Sequence, residues 1–391
     1  MKSVHWLIEA LFAILPLCAC GYYLLCLWGA RQFLRRPVNS DFSFAPPISI
    51  LKPLKGMDPE IYAGLRSHCL QEYPDYEIIF GVNDENDPAI GWVEQLQREF
   101  PEHAVRLVLC PEILGGNIKV SNLAQMAQHA RYEHWLVNDS DIRVEPDYLR
   151  RVVAPLRSSA VGLVTCLYRG VDGGTLGSHL EVLGISTDFC GGALAAVQME
   201  GGVHFGLGST LVFRRASLQS VGGFAVLVDY LADDYQLALR LSQKGLEVHL
   251  SEVVVETFLP AYSWRGFWDH QVRWVRNVRD LRGWGYLGAG VTFGVPWALT
   301  GLGVASGAWW AWSILGLTLA LRILMAWVVG TRVAKDAQAL RYFWLIPLRD
   351  LVGLVVWLAG FAGSTVVWRG NRFRLERGKL KMVGSASGWS K

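Results

Sequence analysis

Charged residues are scarce in this sequence. Asp, Glu, Lys and Arg account for 18% of the 391 residues and hydrophobic residues for 52%, whereas ordinary soluble domains carry about 25% charged residues. The formal net charge is only +3, far from the basic excess of a nucleic-acid-binding domain. We therefore expect no nucleic-acid partner, and the composition favours a soluble domain combined with membrane segments.

Cysteine pairs with metal-site or redox-site spacing are also absent. None of the seven cysteines forms a CxxC pair, and three of them fall in the first apolar stretch. This pattern predicts neither a disulfide framework nor a zinc site. It fits a reducing compartment.

An apolar stretch opens the chain. Val4–Ala30 is almost uncharged apart from Glu9 and is long enough to span a bilayer. The basic segment 31–36 follows, so residues 1–36 are predicted to be a transmembrane anchor, in a bacterial inner membrane, that keeps the next domain in the cytoplasm. A cleaved signal peptide, or a lipoprotein signal ending at Cys20, is disfavoured because the basic cluster follows the apolar stretch instead of preceding it.

The middle of the chain, residues 45–260, alternates between short apolar runs and longer stretches of helical character. This alternation predicts an α/β domain with a doubly wound, mostly parallel sheet whose ligands bind at the carboxyl ends of the strands. The predicted helices include Trp92–Phe100 and Asn122–Ala130. The predicted strands are Ile48–Leu51, Glu77–Val82, Val105–Cys110, His134–Val137 and Val161–Cys166.

Apolar sequence returns in residues 284–367. The candidate membrane segments are Gly290–Ser306, Trp310–Val329 and Tyr342–Val367. Three full crossings would put the basic tail, residues 368–391, outside, although its charge predicts a cytoplasmic position. We therefore expect that the short, glycine-rich Gly290–Ser306 does not cross fully, or that a further crossing exists.

Two charged residues interrupt the last apolar segment. Arg349 and Asp350 follow Pro347, and charges within such segments are costly and often functional. The proline predicts a break near the membrane interface, so we interpret the two charges as a structural pair.

Three acidic sites each follow an apolar run. They are Asp84, the DxD motif of Asp139 and Asp141, and the adjacent Asp233 and Asp234. One such cluster is most often a solvated turn or a helix cap. Three of them in this order, with the DxD at a strand end, favour a shared site.

Such carboxylates suit the transfer of a sugar from a nucleotide diphosphate-sugar. The leaving diphosphate is negative, and Mg2+ or Mn2+ held by Asp139 and Asp141 would neutralise it. A separate carboxylate on another element must take the proton of the acceptor hydroxyl. Asp234 is the predicted base, with Asp233 as the alternative.

A segment dense in tryptophan and arginine spans residues 261–283 and contains His270-Gln-Val-Arg273-Trp274. Arginine binds phosphate in bidentate geometry, and tryptophan prefers the membrane–water interface. The segment is predicted to be an interfacial helix that closes the site above the lipid. A basic amphipathic anchor without a catalytic part fits the same pattern equally well.

These motifs together resemble the signature of the ceramide glucosyltransferase family, glycosyltransferase family 21, which is written D, D, D, (Q/R)xxRW on a GT-A fold. The resemblance runs from about Pro46 to Leu375. Further stretches in the family's order are Ile50–Gly56, Asn117–Leu123, Asp139–Val144, Ala232–Tyr235 and Trp368–Leu375.

The resemblance implies an inverting transfer from a UDP-sugar to a lipid hydroxyl, without a covalent intermediate. It implies that Asp84 contacts the uridine part, that Asp139 and Asp141 serve the metal and the diphosphate, and that Asp234 is the base. Lys119 is expected to approach the donor.

The last motif of the family is matched in part. Arg273 and Trp274 correspond to the final two positions of (Q/R)xxRW, and the resemblance implies a part for both in the reaction. The chain departs from the pattern at the first position, where His270 replaces Gln or Arg. No role is therefore carried over to residue 270.

Within the family, Val164–Gly170 and the intact Asp139-Ser-Asp141 are similar to the bacterial hopanoid-biosynthesis branch. Its proteins add N-acetylglucosamine from UDP-GlcNAc to bacteriohopanetetrol. Glucose transfer from UDP-glucose to ceramide is the alternative, because nothing in spacing or composition separates the two acceptors.

Two other readings of the chain are disfavoured. A processive polysaccharide synthase shares the acidic sites and a QxxRW element, but it needs a channel of several spans, and at most three follow the domain here. A membrane protein that binds nucleotide-sugars or lipids without turnover does not account for the intact acidic set.

Overall fold

The computed structural model describes residues 2–36, 43–57, 60–368 and 371–385. Its strands are β1 (Ile48–Pro53), β2 (Tyr76–Val82), β3 (Ala104–Leu109), β4 (His134–Val137), β5 (Ile142–Arg143), β6 (Val161–Val171), β7 (Leu211–Arg214), β8 (Glu247–Phe258), β9 (Thr365–Trp368), β10 (Asn371–Glu376) and β11 (Lys379–Ser385). They form an eight-stranded sheet in the order β3-β2-β1-β4-β7-β6-β8-β5 and a three-stranded sheet in the order β11-β10-β9.

The helices surround the large sheet and extend beyond it. They are α1 (Lys2–Leu34), α2 (Ile61–Cys69), α3 (Ala89–Glu99), α4 (Ile118–Met126), α5 (Tyr148–Val153), α6 (Leu176–Leu183), α7 (Cys190–Met199), α8 (Arg215–Ser220), α9 (Asp233–Gln243), α10 (Trp264–Ala289), α11 (Gly294–Val304), α12 (Trp309–Trp327), α13 (Ala337–Arg341) and α14 (Ile346–Gly360). A π-helical segment, Gly184–Phe189, joins α6 to α7.

The large sheet is built around four parallel strands. β1 lies between β2 and β4, and β3 pairs with the outer side of β2, whereas β7 is antiparallel to its neighbours β4 and β6. All six residues of β1 are buried, as a parallel strand covered on both faces requires. Ile48 and Ile50 belong to one apolar core and Leu51 to the core on the opposite face. The predicted α/β fold is confirmed.

The parallel strands bring their carboxyl ends to one edge of the sheet. β1, β2 and β4 end at Pro53, Val82 and Val137. The predicted DxD motif follows β4 directly, so this edge carries the candidate site, as expected for parallel α/β sheets. β6 continues to Val171, beyond the predicted end at Cys166.

Four helices in the described part of the chain are long and apolar enough to cross a membrane. They are Val4–Leu34, Leu176–Met199, Trp309–Val333 and Phe343–Gly360. Leu176–Met199 was not among the predicted segments, because it lies in sequence within the α/β domain. In its most apolar window 67% of the residues are buried inside the protein, so the helix forms a junction between that domain and the other apolar helices.

The predicted segment Gly290–Ser306 contains a 3-10 turn, Gly290–Thr292, and the 11-residue helix α11. A helix of that length rises about 16 Å, well short of a hydrocarbon core of about 30 Å. α10 and α11 meet at a 55° bend and count as a fifth apolar element only if taken as one broken span. Whether the segment crosses the membrane stays a prediction.

The carboxyl-terminal region differs from the expected tail. The last apolar helix ends at Gly360, and the chain then enters the small sheet at Thr365 rather than continuing as a membrane segment to Val367. In β10 the basic side chains alternate with buried Phe373 and Leu375, the period of a strand with one buried face. Residues 369–370 and 386–391 of the predicted tail lie outside the described residues.

A buried ion-pair network ties the apolar helices together. The guanidinium of Arg322, only 2% exposed, donates to Asp350 at 2.8–3.1 Å and to Asp188 at 2.5 Å. Arg349 lies 3.5 Å from Asp188. The predicted pairing of Arg349 with Asp350 is therefore wrong. Among the contacts described, Asp350 pairs with Arg322 and Arg349 lies at Asp188.

We expect Arg322→Met to destabilise the protein by about 3–5 kcal/mol, because it leaves a buried carboxylate without its cation. The double variant Arg322→Met/Asp350→Leu should recover much of that loss, since both charges are then gone. The measurement is the thermal unfolding midpoint in detergent, with the exposed Arg332→Met as the matched control. Equal midpoints for Arg322→Met and the control would contradict the prediction.

Candidate functional site

Two of the predicted carboxylates, Asp139 and Asp234, meet at one glycine. Gly208 precedes β7, and its carbonyl accepts from the Asp139 amide at 3.1 Å, while its own amide donates to the Asp234 carboxylate at 2.7 Å. A Cβ atom added at Gly208 would lie 2.6 Å from Asp139 Oδ2 and 3.4 Å from Asp234 Oδ2. Only glycine therefore allows the end of β4 and the start of α9 to approach this closely.

Lys119 supplies the positive charge of this cluster. It lies in the first turn of α4, and its Nζ is 2.8 Å from Asp139 Oδ1 and 3.3 Å from Asp233 Oδ2. Burial alone would lower the pKa of the ammonium, but the charges of Asp139, Asp233 and Asp234 outweigh it and raise the pKa above its ordinary value. Lys119 is therefore held charged among the carboxylates.

The surroundings of Asp234 shift the pKa of its carboxyl group upward. Burial raises its pKa to about 7, the charge of Asp233 adds to the rise, and Lys119 opposes it. One carboxylate oxygen accepts from the Gly208 amide and the other from the amide of Tyr235 at 2.7 Å. Asp233 is 7% exposed, and burial also raises its pKa, against the charge of Lys119.

Asn117 fixes the loop that carries these two aspartates. As the N-cap of α4 it accepts from the Val120 amide at 3.2 Å. Its side-chain amide donates to Asp233 at 3.2 Å and to the carbonyl of Tyr230 at 2.8 Å. Asn117 begins the family-like stretch Asn117–Leu123, but no pattern in the sequence indicates this role.

The second aspartate of the DxD motif is anchored to β8. Asp141 Oδ2 accepts from the Thr257 hydroxyl at 2.7 Å, and the Asp141 carbonyl accepts from the amide of Phe258 at 3.2 Å. Asp139 and Asp141 both line the cavity described below. The motif is therefore presented where the strand ends and bends, as predicted.

A buried lysine on β1 holds the backbone of the DxD motif through hydrogen bonds. Lys52 is 0% exposed, and its ammonium donates to the Asn138 side chain at 3.0 Å and to the Asp139 carbonyl at 2.7 Å. The Asn138 amide in turn donates to the Nε2 of buried His68 at 2.8 Å. Sequence reasoning missed this support because a lysine in a strand is ordinarily solvent-exposed.

One cavity of about 1180 Å³ joins the acidic cluster to α10 and to the small sheet. Lys119, Asp139, Asp141, Asp233 and Asp234 line it, together with His270, Arg273 and Trp274 of α10. The predicted site residues on distant parts of the chain are thus brought together, with one exception.

Asp84 is the exception. It is exposed and does not line this cavity, whereas its neighbour Asn83 does. The Asp84 carboxylate accepts from the Asn86 amide at 2.9 Å, a turn contact. Its role at the uridine part of a donor stays a prediction.

Two walls of the cavity were not foreseen. The apolar helix Leu176–Met199 contributes Glu181, Phe189 and Ala193, and the small sheet contributes Trp368 and Phe373. A bridge between Tyr230 and Lys379 joins the small sheet to the loop that precedes α9. The alternation of basic and apolar residues in β10 could have predicted a strand there. No sequence pattern could have predicted that the small sheet lies over the cavity.

The donor set of the cavity fits a hard divalent cation. No group of three or more His, Cys, Asp or Glu side chains with metal-ligand spacing occurs among the described residues. Mg2+ usually takes one or two carboxylates and completes its shell with water and phosphate oxygens of a ligand. Asp139 and Asp141 supply two such carboxylates at the cavity surface.

Among solved structures, the fold is similar to a mannosyltransferase of Pyrobaculum calidifontis, determined in complex with GDP-Man and Mn2+. The TM-score is 0.53 at 20% identity, and the match covers 89% of this chain and 99% of that one. This likeness concerns the fold, and it agrees with the expected GT-A architecture.

Curated relatives carry the name ceramide glucosyltransferase. Ceramide glucosyltransferase 1 of Caenorhabditis elegans is 24% identical over 405 residues, which cover 96% of this chain and 84% of the relative. The ceramide glucosyltransferase of Komagataella phaffii is 39% identical over 116 residues, covering 29% of this chain and 23% of that protein.

The sequence profile of glycosyl transferase family 21 matches residues 11–381. That span includes the acidic cluster, α10 and the strands β9 and β10 of the small sheet. The chain belongs to glycosyl transferase family 21 and is a hexosyltransferase with a GT-A catalytic domain.

Proposed function

We propose that this chain transfers a sugar from a nucleotide diphosphate-sugar to the hydroxyl of a membrane lipid, with inversion at the anomeric carbon. The observation that carries the proposal is the two-sided cavity: Asp139 and Asp234 line one wall, and the apolar helix Leu176–Met199 lines another. The polar wall suits a diphosphate and the apolar wall suits a lipid. The names of the curated relatives support a lipid acceptor.

Cationic side chains of the cavity are proposed to bind the donor's diphosphate. Lys119 and Arg273 both line it, and an ammonium and a guanidinium stabilise the negative charge that develops on a leaving diphosphate. Asp139 and Asp141 would hold Mg2+ or Mn2+, which when bound adds further charge neutralisation. Asp84, beside the cavity residue Asn83, is proposed to contact the uridine part of a UDP-sugar.

Asp234 is proposed as the general base. Its carboxylate accepts the proton of the lipid hydroxyl while that oxygen bonds to the anomeric carbon, and the bond from that carbon to the diphosphate oxygen breaks, with its electron pair leaving on the diphosphate. A carboxyl pKa of about 7 matches this proton transfer better than that of an ordinary aspartate. The Gly208 amide, 2.7 Å away, orients one oxygen.

The lipid is proposed to enter along the apolar wall. Phe189, Ala193 and Ala196 line the cavity there, and the ring of Trp274 packs edge-on against Phe189 with centroids 6.0 Å apart. Each methylene of a lipid that leaves an apolar environment costs about 0.8 kcal/mol. A continuous apolar wall therefore lets the hydroxyl reach Asp234 while the chains stay covered, and Trp274 would mark the boundary.

We propose N-acetylglucosamine transfer from UDP-GlcNAc to bacteriohopanetetrol as the specific reaction. It rests on the resemblance of Val164–Gly170 and of the intact Asp139-Ser-Asp141 to the hopanoid branch. Glucose transfer from UDP-glucose to ceramide is the second candidate, favoured by the names of the curated relatives.

The domain boundaries and the orientation are likewise proposals. The basic segment 31–36 at the carboxyl end of α1 supports a catalytic domain on the cytoplasmic face of a bacterial inner membrane. The proposed units are the anchor 1–36, the catalytic domain 45–260, the interfacial segment 261–283, the membrane segments 284–367 and the basic tail 368–391. The small sheet crosses the last of these boundaries, since it begins at Thr365.

The specific reaction is tested by transfer assays with purified protein in detergent. UDP-GlcNAc and UDP-glucose are each offered with bacteriohopanetetrol and with ceramide, with Mg2+, Mn2+ or EDTA. We expect metal-dependent N-acetylglucosamine transfer to the hopanoid. Glucosylceramide as the only product would overturn the hopanoid assignment and leave the mechanism, and absence of product from every pair would count against the lipid acceptor.

Asp234→Asn should lower the transfer rate by about 100- to 10,000-fold, the range of a lost general base. The donor KM should change little, because the amide keeps the shape of the side chain. Asp147→Asn, at a half-exposed aspartate outside the cavity, is the matched control and should keep its rate. A rate for Asp234→Asn near that of the control would remove Asp234 from the mechanism.

The pH dependence of kcat/KM should have an acidic limb with its midpoint near 7. Asp234 has a pKa of about 7, so its carboxyl is protonated below that pH and cannot accept a proton. Lys119→Met should move the limb to higher pH, because Lys119 lowers the pKa of Asp234. A limb below pH 5, or one that Lys119→Met leaves in place, would contradict the assignment.

A further inference from the structure

A buried glutamate lies in the cavity wall, away from the acidic cluster around Gly208. Glu181 is on α6 and is 6% exposed. One carboxylate oxygen is 3.4 Å from His270 Nε2, and the other accepts from the Gln271 side-chain amide. Both partners belong to α10, so one carboxylate holds two successive residues of the helix that carries Arg273 and Trp274.

The contact on the other side of His270 identifies its tautomer. An Arg273 guanidinium nitrogen lies 3.1 Å from His270 Nδ1, and a guanidinium only donates hydrogen bonds. Nδ1 must therefore accept, and the imidazole proton is on Nε2, where it faces Glu181. The hydroxyl of Tyr262 lies 3.4 Å from the same Nδ1.

The three side chains form a directional relay. Arg273 donates to His270 Nδ1, and the Nε2–H of His270 faces the Glu181 carboxylate at 3.4 Å, an electrostatic contact. A glutamine at position 270 would offer the same pair of functions, an amide oxygen that accepts and an amide nitrogen that donates. Histidine can therefore replace the glutamine form of the (Q/R)xxRW signature, since the neutral imidazole also has one donor and one acceptor. The argument does not extend to the arginine form, because a guanidinium only donates.

We propose that Glu181 is a positioning residue which, through the Nε2–H tautomer of His270, holds the Arg273 guanidinium toward the donor's diphosphate. The function of the relay rests on the proposed sugar transfer, whereas the geometry of the relay does not. Groups that orient a ligand side chain from behind typically change activity by about 10- to 100-fold when removed.

A structural role alone is the competing explanation. Glu181 also joins α6 to α10, so its loss costs packing and hydrogen bonds whatever Arg273 does. Glu77 is a matched control, because it is a fully buried carboxylate held by Arg106 and Arg131 near the amino end of β2, outside the cavity. Glu77→Ala reports the cost of deleting a buried carboxylate without touching the relay.

The first experiment is 15N NMR of the histidine side chains in detergent, with the His270 signals assigned by their loss in His270→Gln. We expect a fixed Nε2–H tautomer in the wild type, and tautomer exchange in Glu181→Ala with Glu77→Ala unchanged. An averaged His270 signal in the wild type, or the same fixed tautomer in Glu181→Ala, would overturn the relay. This readout needs no substrate, so it separates failure of the relay from failure of the proposed function.

The second experiment is a double-variant cycle on transfer rate and on UDP binding with Mn2+. Glu181→Ala should lower kcat by about 10- to 100-fold. The single variants Glu181→Gln and His270→Gln should keep much of the wild-type kcat, because each amide retains an acceptor and a donor. In an Arg273→Met background the same Glu181→Ala change should have little further effect, because the residue it positions is already gone. An undiminished further loss in that background would assign Glu181 a structural role and overturn the proposal.

Discussion

The site depends on the neutralisation of like charges. Asp139 lies far in sequence from the adjacent Asp233 and Asp234, and neighbouring carboxylates repel one another strongly in a buried setting. Lys119 lies 2.8 Å from Asp139 and 3.3 Å from Asp233, and Gly208, which has no side chain, leaves room for the carboxylates of Asp139 and Asp234. The ammonium of Lys119 and the absence of a side chain at Gly208 thus permit the close approach of these carboxylates, on which the proposed chemistry rests.

A second constraint acts where the catalytic domain meets the apolar helices. Leu176–Met199 serves both sides, since its most apolar window is largely buried and its residues line the cavity. The Arg322 network holds this helix to α12 and α14 through Asp188 and Asp350. Charge inside an apolar assembly is tolerated only when it is paired and hydrogen-bonded, so the network fixes how the helices pack around the apolar side of the cavity.

Local patterns in the sequence were sufficient for much of the fold. Continuous apolar runs predicted β1 to β4, because buried parallel strands have that composition. The acidic residues were predicted at strand ends because each acidic site follows an apolar run. Patterns of a few residues carry no information on contacts over long separations. The support of Asp139 by Lys52, the pairing of Arg322 with Asp350 and the small sheet over the cavity were therefore not predicted.

The sequence by itself determined the α/β class, the apolar helices, the acidic positions and the family resemblance, since each depends on residue type at short spacing. Only the tertiary structure decided which of these residues meet. It brought Asp234 beside Gly208, left Asp84 outside the cavity, and gave His270 a donor and an acceptor from two elements. The physical reason is that a side chain's protonation state and orientation depend on its neighbours in space, and those come from residues up to hundreds of positions away.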